Sequence, residues 1–388
     1  MAASGKPEED WDPRSADVLR DQRAAYDEMR ERCPVAHSEF MHWSLFRHEH
    51  VLRVLLDHET FSNAVSGHLS VPNGMDPPEH TAYRRIIEPY FSAQRMDAFE
   101  PSCRRIVVEL LRDPLSGGET ELMADFAVPF AVRVQCAFLG WPPELREPLV
   151  RWTRKSHEAT LAQDRQAMSE LAREFEGYVQ DMLEVRLRAG TAPEYDVTAS
   201  LMHEKVRGRA LSGEEIASIL RNWTVGEIGT ISAAVGILAH DLARHVELQE
   251  RLRARPSLLP AAIDEILRIH GPLVANRRVA TRAAEIGGRR LAAGDRISLM
   301  WSSANRDGRV FQDPDAFRLD RDPAQNLLYG AGIHVCPGAP LARMELRVAV
   351  EELLGRTARI EPAPGKSPVN AAFPASGFAS LPLSLQPR

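Results

Sequence analysis

The sequence predicts a mainly α fold with small β sheets, and three observations predict it. Residues 78–189 carry an almost unbroken helical pattern. A second long helical run opens at Ser212 and extends to Arg244. Strand-forming runs are short and confined to residues 37–46, 277–300 and the C-terminal segment.

Taken in order, residues 1–16 read as a loose polar tail and 17–388 as one domain, with no internal repeat or linker. Residues 19–32 predict a helix, 37–46 a short strand pair and 49–56 a helix. Ser, Asn, Gly and Pro crowd residues 62–75, which predicts a loop. Gly190 to Tyr195 interrupts the helical pattern. Ser212, with Glu215 three residues on, forms a capping box. A helix from there to Arg244 spans about 33 residues, or about 50 Å. Residues 260–270 read as helix. Gly-Gly and Ala-Gly-Asp breaks divide 277–300 into short strands and turns. Residues 305–326 read as loop, 339–353 as helix, and strands near 359–361 and 381–385 close the chain.

The composition, 44% hydrophobic and 26% charged over 388 residues, is ordinary for a soluble globular protein. A net charge of −6 gives no reason to expect nucleic acid or an anionic membrane as partner. Cys33, Cys103, Cys136 and Cys336 are widely spaced, which fits a reducing cytoplasm. The N-terminus has no apolar core of the signal-peptide kind, and the longest apolar stretches, such as 231–239, are too short for a membrane span. A soluble, cytoplasmic monomer is the expectation.

The run Tyr329-Gly330-Ala331-Gly332-Ile333-His334-Val335-Cys336-Pro337-Gly338 sets one cysteine in a glycine-rich loop before a helix. Such a placement suits a thiolate holding a metal. Cys336 is expected to cap the helix, where the dipole and free N–H groups favour negative sulfur. Pro337 would then take the first helical position, with Gly330, Gly332 and Gly338 at tight turns or close approaches. Elsewhere, Glu265 and Arg268 sit three apart on one helical turn and can pair. His80 and Arg84, four apart, share a helix face after a Pro-Pro stop.

The cysteine loop resembles the haem-binding signature of the cytochrome P-450 family, with Tyr329 where phenylalanine is usual. The resemblance covers nearly the whole chain from Val35 on. It implies a helix-rich triangular domain with small β sheets and haem b held between a long distal helix and the cysteine loop. Cys336 is then the axial iron ligand. Glu265-Ile266-Leu267-Arg268 resembles the Glu-x-x-Arg motif, and Arg321, in the 313–321 loop, is its implied third member. His80, Arg84, Arg278 and His334 match positions that contact the haem propionates, while Arg277 and Arg85 are the solvent-facing neighbours.

In the long helix, Trp223-Thr224-Val225-Gly226-Glu227-Ile228-Gly229-Thr230 resembles the segment that handles oxygen. Two glycines mid-helix cost about 1 kcal/mol each relative to alanine, which points to close approach or a kink. Thr230 matches the family threonine. The acid usual before it is missing, because Gly229 stands there, and Glu227 appears where glycine is usual. About 60° around the helix from Thr230, Glu227 is expected to face the same pocket. It would either supply protons or anchor a polar substrate.

The implied activity is that of a monooxygenase. It uses O2 and electrons from a ferredoxin and an NAD(P)H-dependent ferredoxin reductase to hydroxylate or otherwise oxidise a small organic molecule. The ferredoxin would dock near Arg85, Arg95, Arg104, Arg105 and Arg343. Alternatives are a peroxygenase using hydrogen peroxide, a haem-thiolate isomerase or dehydratase and, last, a non-catalytic gas-binding protein. Asn222, Val225, Leu273, Asn276 and Phe378 are the expected pocket residues.

Overall fold

The computed structural model describes residues 8–388. The chain opens with α1 (Ala16–Arg20) and α2 (Gln22–Arg32). These are two helices where one was expected, because the Asp21 carboxylate turns back to cap Ala24 N–H at 3.0 Å. The expected loose tail lies partly outside the described residues. Its later part is packed: Trp11 is buried, and Asp10 pairs with Arg289 at 2.9 Å.

The strand pair is β1 (Val35–Ser38) and β2 (His42–Leu45), followed by α3 (His48–Leu56) and β3 (Phe61–Ser62). The helical half contains α4 (Glu79–Ile87), α5 (Ala93–Leu110) and α6 (Arg112–Gly117). A strand unforeseen in this stretch, β4 (Glu119–Glu121), comes next. The helices α7 (Val128–Leu139), α8 (Arg146–Ala162), α9 (Arg165–Ala189) and α10 (Val197–His203) follow. A short hairpin, β5 (Lys205–Val206) and β6 (Arg209–Ala210), precedes the long helix α11 (Gly213–Arg244).

The capping box forms as expected. Glu215 N–H donates to Ser212 Oγ at 3.2 Å, and Ser212 N–H donates to the Glu215 carboxylate at 2.7 Å. Side chains are buried on nearly every face of α11, the mark of a central core helix. It is long and apolar enough to cross a bilayer, but 67% of its apolar window is buried in protein.

After α12 (Val246–Ala254) and α13 (Leu259–His270) come β7 (Ala275–Ala280), β8 (Ala284–Ile286), β9 (Arg289–Leu291) and β10 (Arg296–Met300). Then follow α14 (Trp301–Ala304), α15 (Ala339–Arg356), β11 (Thr357–Pro362), β12 (Val369–Asn370), β13 (Phe378–Ser380) and β14 (Pro382–Pro387).

The largest sheet has the order β1-β2-β10-β7-β3. Only its β2–β10 pair is parallel, with Ile297 opposite Trp43. A second sheet, β11-β14-β4, ties the C-terminus to the helical half. The main core runs through α5, α7, α11, α13 and α15, and smaller apolar clusters lie under the large sheet. The site lies between α11 and the loop that precedes α15.

Candidate active site

The cysteine loop is shaped by its own backbone. Cys336 N–H donates to Tyr329 O at 2.8 Å, closing the turn. Gly330 and Gly332 take φ of +76° and +69°. A Cβ on Gly332 would lie 2.4 Å from Leu55 O, so the loop presses backbone to backbone against the end of α3.

Helix α15 begins at Ala339 with Gly338 as its cap, and Pro340 rather than Pro337 stands inside its first turn. The expectation of Cys336 as cap is therefore corrected by two residues, because Pro337 and Gly338 form a turn of their own. The sulfur still gains from the helix end, since Gly338 and Ala339 N–H groups point to it. Solvent reaches Cys336 along a crevice. Burial nonetheless dominates and raises the thiol above its ordinary value; the two N–H groups and Arg84 oppose that shift. A metal cation on the sulfur would reverse it.

The Glu265 carboxylate accepts from Arg268 at 2.7 and 2.9 Å, from Arg321 at 2.8 Å and from Arg318 N–H at 3.1 Å. Arg268, 1% exposed, also donates to Asn305 O at 2.6 Å and Pro314 O at 2.8 Å. Its guanidinium lies 4.7 Å from the Phe311 ring centre. The network joins α13 to the 305–321 loop.

The four expected propionate contacts come together. The His80 and His334 rings lie 4.2 Å apart, and Nε2 of each is buried without a protein partner. Arg84 donates to Val335 O at 2.9 Å and Glu88 at 3.1 Å. Among the described residues, the buried Arg278 guanidinium bonds only Arg277 O, at 2.8 Å. Burial comes first in lowering His80 to about 4, His334 to about 3 and Arg278 to about 10. Such a cluster, short of carboxylates, calls for an anion. Arg277 and Arg85 are exposed, as expected. Above the crevice, Val225 and Val335 remain 54% and 40% exposed. Aliphatic side chains so bare beside a solvent-reached thiol fit a flat apolar macrocycle with acidic edges. The residues present therefore suit haem.

Along α11, Val225, Gly226, Gly229 and Thr230 form the less buried face. Thr224 and Ser232 spend their hydroxyls on Leu220 O and Ile228 O, whereas Thr230 has no such partner among the described residues. Glu227, between these positions in sequence, is buried, 8% exposed. It meets Glu345 of α15, which sequence reasoning missed. Among the described residues, Glu227 Oε1 and both Glu345 oxygens have no hydrogen-bond partner. Burial raises both carboxyls, Glu227 to about 7 and Glu345 further, because Glu345 also bears the charge of its neighbour.

The expected pocket residues divide. Val225 faces the crevice. The Asn222 amide is spent on the 62–75 loop, donating to Val71 O at 2.9 Å and accepting from Ser70 Oγ at 3.3 Å. Leu273 packs under the large sheet, and Asn276 is exposed on β7. Phe378 lies against His240, 4.6 Å between ring centres, about 15 Å along α11 from Thr230.

A sequence model of the cytochrome P450 family matches residues 139–386. Cyclomarin C epoxidase CymV of Salinispora arenicola is 32% identical over 350 residues, covering 86% of this chain and 88% of that protein. Erythromycin C-12 hydroxylase of Saccharopolyspora erythraea is 31% identical over 343 residues, 86% of each chain. The structure of a mutant of P450 EryK in complex with erythromycin B superposes with a TM-score of 0.86 at 29% identity, over 95% of this chain and 97% of that one. With these likenesses over most of its length, a thiol loop flanked by Arg84 and Arg278 and the Glu265 network behind it, this chain belongs to the cytochrome P450 family and is a haem-thiolate monooxygenase.

Proposed function

We propose that residues 17–388 act as one haem-binding unit in the cytoplasm, taking electrons from a ferredoxin and its NAD(P)H-dependent reductase to insert oxygen into a small organic molecule. The observation that carries this reading is Cys336 at the foot of an apolar crevice, with His80, Arg84, Arg278 and His334 at its rim and Thr230 on the helix opposite. Cys336 would hold the iron of haem b, and the four rim residues its propionates. Haem bound there supplies electron uptake and dioxygen activation, and thiolate donation favours O–O cleavage.

The protein's own part is positional. Thr230, with a free hydroxyl, orients water at the reacting end. Of the two roles open for Glu227, its burial beside Glu345 favours proton handling. Both carboxyls are raised by burial, so the pair can hold a proton one helical turn from Thr230.

For docking, Arg104 is committed to Glu100, Glu351 and Glu352 at 2.7 to 2.8 Å, and Arg343 to Asp264 at 3.1 Å. Arg85, Arg95 and Arg105 carry the acidic-partner reading.

The test uses the haem-loaded protein with ferredoxin, reductase and NAD(P)H under isotopically labelled O2. Labelled oxygen in the product supports the reading. Turnover with hydrogen peroxide alone, and none with reductant, would favour the peroxygenase. In the Glu227→Gln variant, product formed per NAD(P)H should fall; unchanged coupling sinks the proton role.

A further inference from the structure

We propose that His157 carries protons from solvent to the Thr230 end of the distal crevice. The inference rests on the monooxygenase reading and adds a residue to it. Helix α8 crosses α11 so that the imidazole lies over Gly229. A Cβ built on Gly229 would sit 3.5 Å from His157 Nε2 and 3.6 Å from Cε1. The glycine thus leaves the helix backbone bare for the ring, one residue before Thr230.

The ring is half-buried, and no protein group among the described residues bonds either nitrogen. The charged neighbours on α8 are engaged elsewhere: Arg154 pairs with Glu158 and Lys155 with Glu174 of α9, each at 3.9 Å. Of the groups near Thr230, Glu227 is buried, only 8% exposed, and meets Glu345 rather than solvent. His157 is half-buried and lies against Gly229, next to Thr230. Burial alone pushes its imidazole below the ordinary value, and no charged group of α7, α9 or α11 adds to that shift. At neutral pH the ring is therefore uncharged, a donor at one nitrogen and an acceptor at the other.

The step balances. One solvent proton bonds to Nδ1, the Nε2 proton passes to a water beside Thr230 Oγ1, and exchange restores the first tautomer. No electron moves.

The test compares haem-loaded wild type with His157→Phe and His157→Gln. The first readout is the infrared stretch of carbon monoxide on the ferrous protein. In wild type it should fall in frequency as pH drops below the ordinary imidazole range, because an imidazolium polarises the bound gas; in both variants it should stay flat. The second is oxidation of a one-electron dye by hydrogen peroxide, in which each peroxide takes two electrons from two dye molecules and two protons to give two waters. Both variants should lose at least about tenfold in rate. A wild-type stretch that ignores pH, or a glutamine variant with the wild-type rate, overturns the proposal. Loss of the thiolate-type Soret band in wild-type carbonyl protein would instead defeat the monooxygenase reading. A normal band with wild-type behaviour in His157→Phe defeats only the histidine assignment.

Discussion

Replacing Glu265 with alanine should cost the fold about 4 kcal/mol. The carboxylate is 5% exposed and accepts from Arg268, Arg321 and Arg318 N–H. Removing it leaves two guanidinium groups facing each other in the interior. Breaking a buried pair by deleting one partner costs about 3–5 kcal/mol, because the other charge stays desolvated. Arg268 keeps Asn305 O and Pro314 O, which holds the loss near the middle of that range. A chain of 388 residues has an unfolding entropy of about 0.8 kcal/mol/K, so Tm should fall by about 5 °C. Haem occupancy should fall with it, since the network holds the 305–321 loop. The assay is thermal unfolding of haem-loaded protein, with the carbonyl Soret band as a measure of intact ligation. A variant within 1 °C of wild type and fully loaded would refute the reasoning.

Other outcomes follow from single contacts. Gly332→Ala adds a Cβ at φ +69° and 2.4 Å from Leu55 O; a cost of about 2 kcal/mol or more should appear as lower haem content per protein. Arg278→Ala removes a buried cation without an acid partner. The haem-free protein should lose no stability, while haem affinity drops about tenfold, measured by transfer to apomyoglobin. Glu215 is held down to about 2, chiefly by hydrogen bonds from Arg209. Its contribution is present above the ordinary glutamate range and is lost as pH falls through the folded value. Glu215→Gln should therefore be less stable than wild type by about 1 kcal/mol at pH 7, after solvent screening, with the gap closing towards pH 2 in urea titrations.

Much of this was legible in the chain. Ser212 and Glu215 announce the start of α11 because a capping box is local. The Glu265–Arg268 pair was likewise visible in one helical turn. The hairpin β5–β6 was not, because two residues per strand carry no periodicity. The cap of α15 was misplaced because Pro337 and Pro340 both satisfy the first-turn preference, and only the turn at Gly338 separates them. Glu345 was invisible for another reason: its partner lies on a different helix, and nothing short of the fold brings Glu227 to it. His157 stood within Arg154-Lys155-Ser156-His157-Glu158, where charged neighbours mark a solvated face and mask the residue that points inward.

The 62–75 loop, fastened to α11, sets a clock on ligand exchange. Val71 N–H bonds Ser218, Leu69 O receives Ser218 and Arg221, and Asn222 holds both Val71 O and Ser70: five bonds in all. At about 1 kcal/mol net each, lifting the loop costs about 5 kcal/mol. On the order of one molecule in several thousand is then open at a given moment. A ligand that must pass this way waits for that rare state, so its arrival and departure slow together while its affinity need not change. Shortening Asn222 to alanine would speed the door without touching the chemistry behind it.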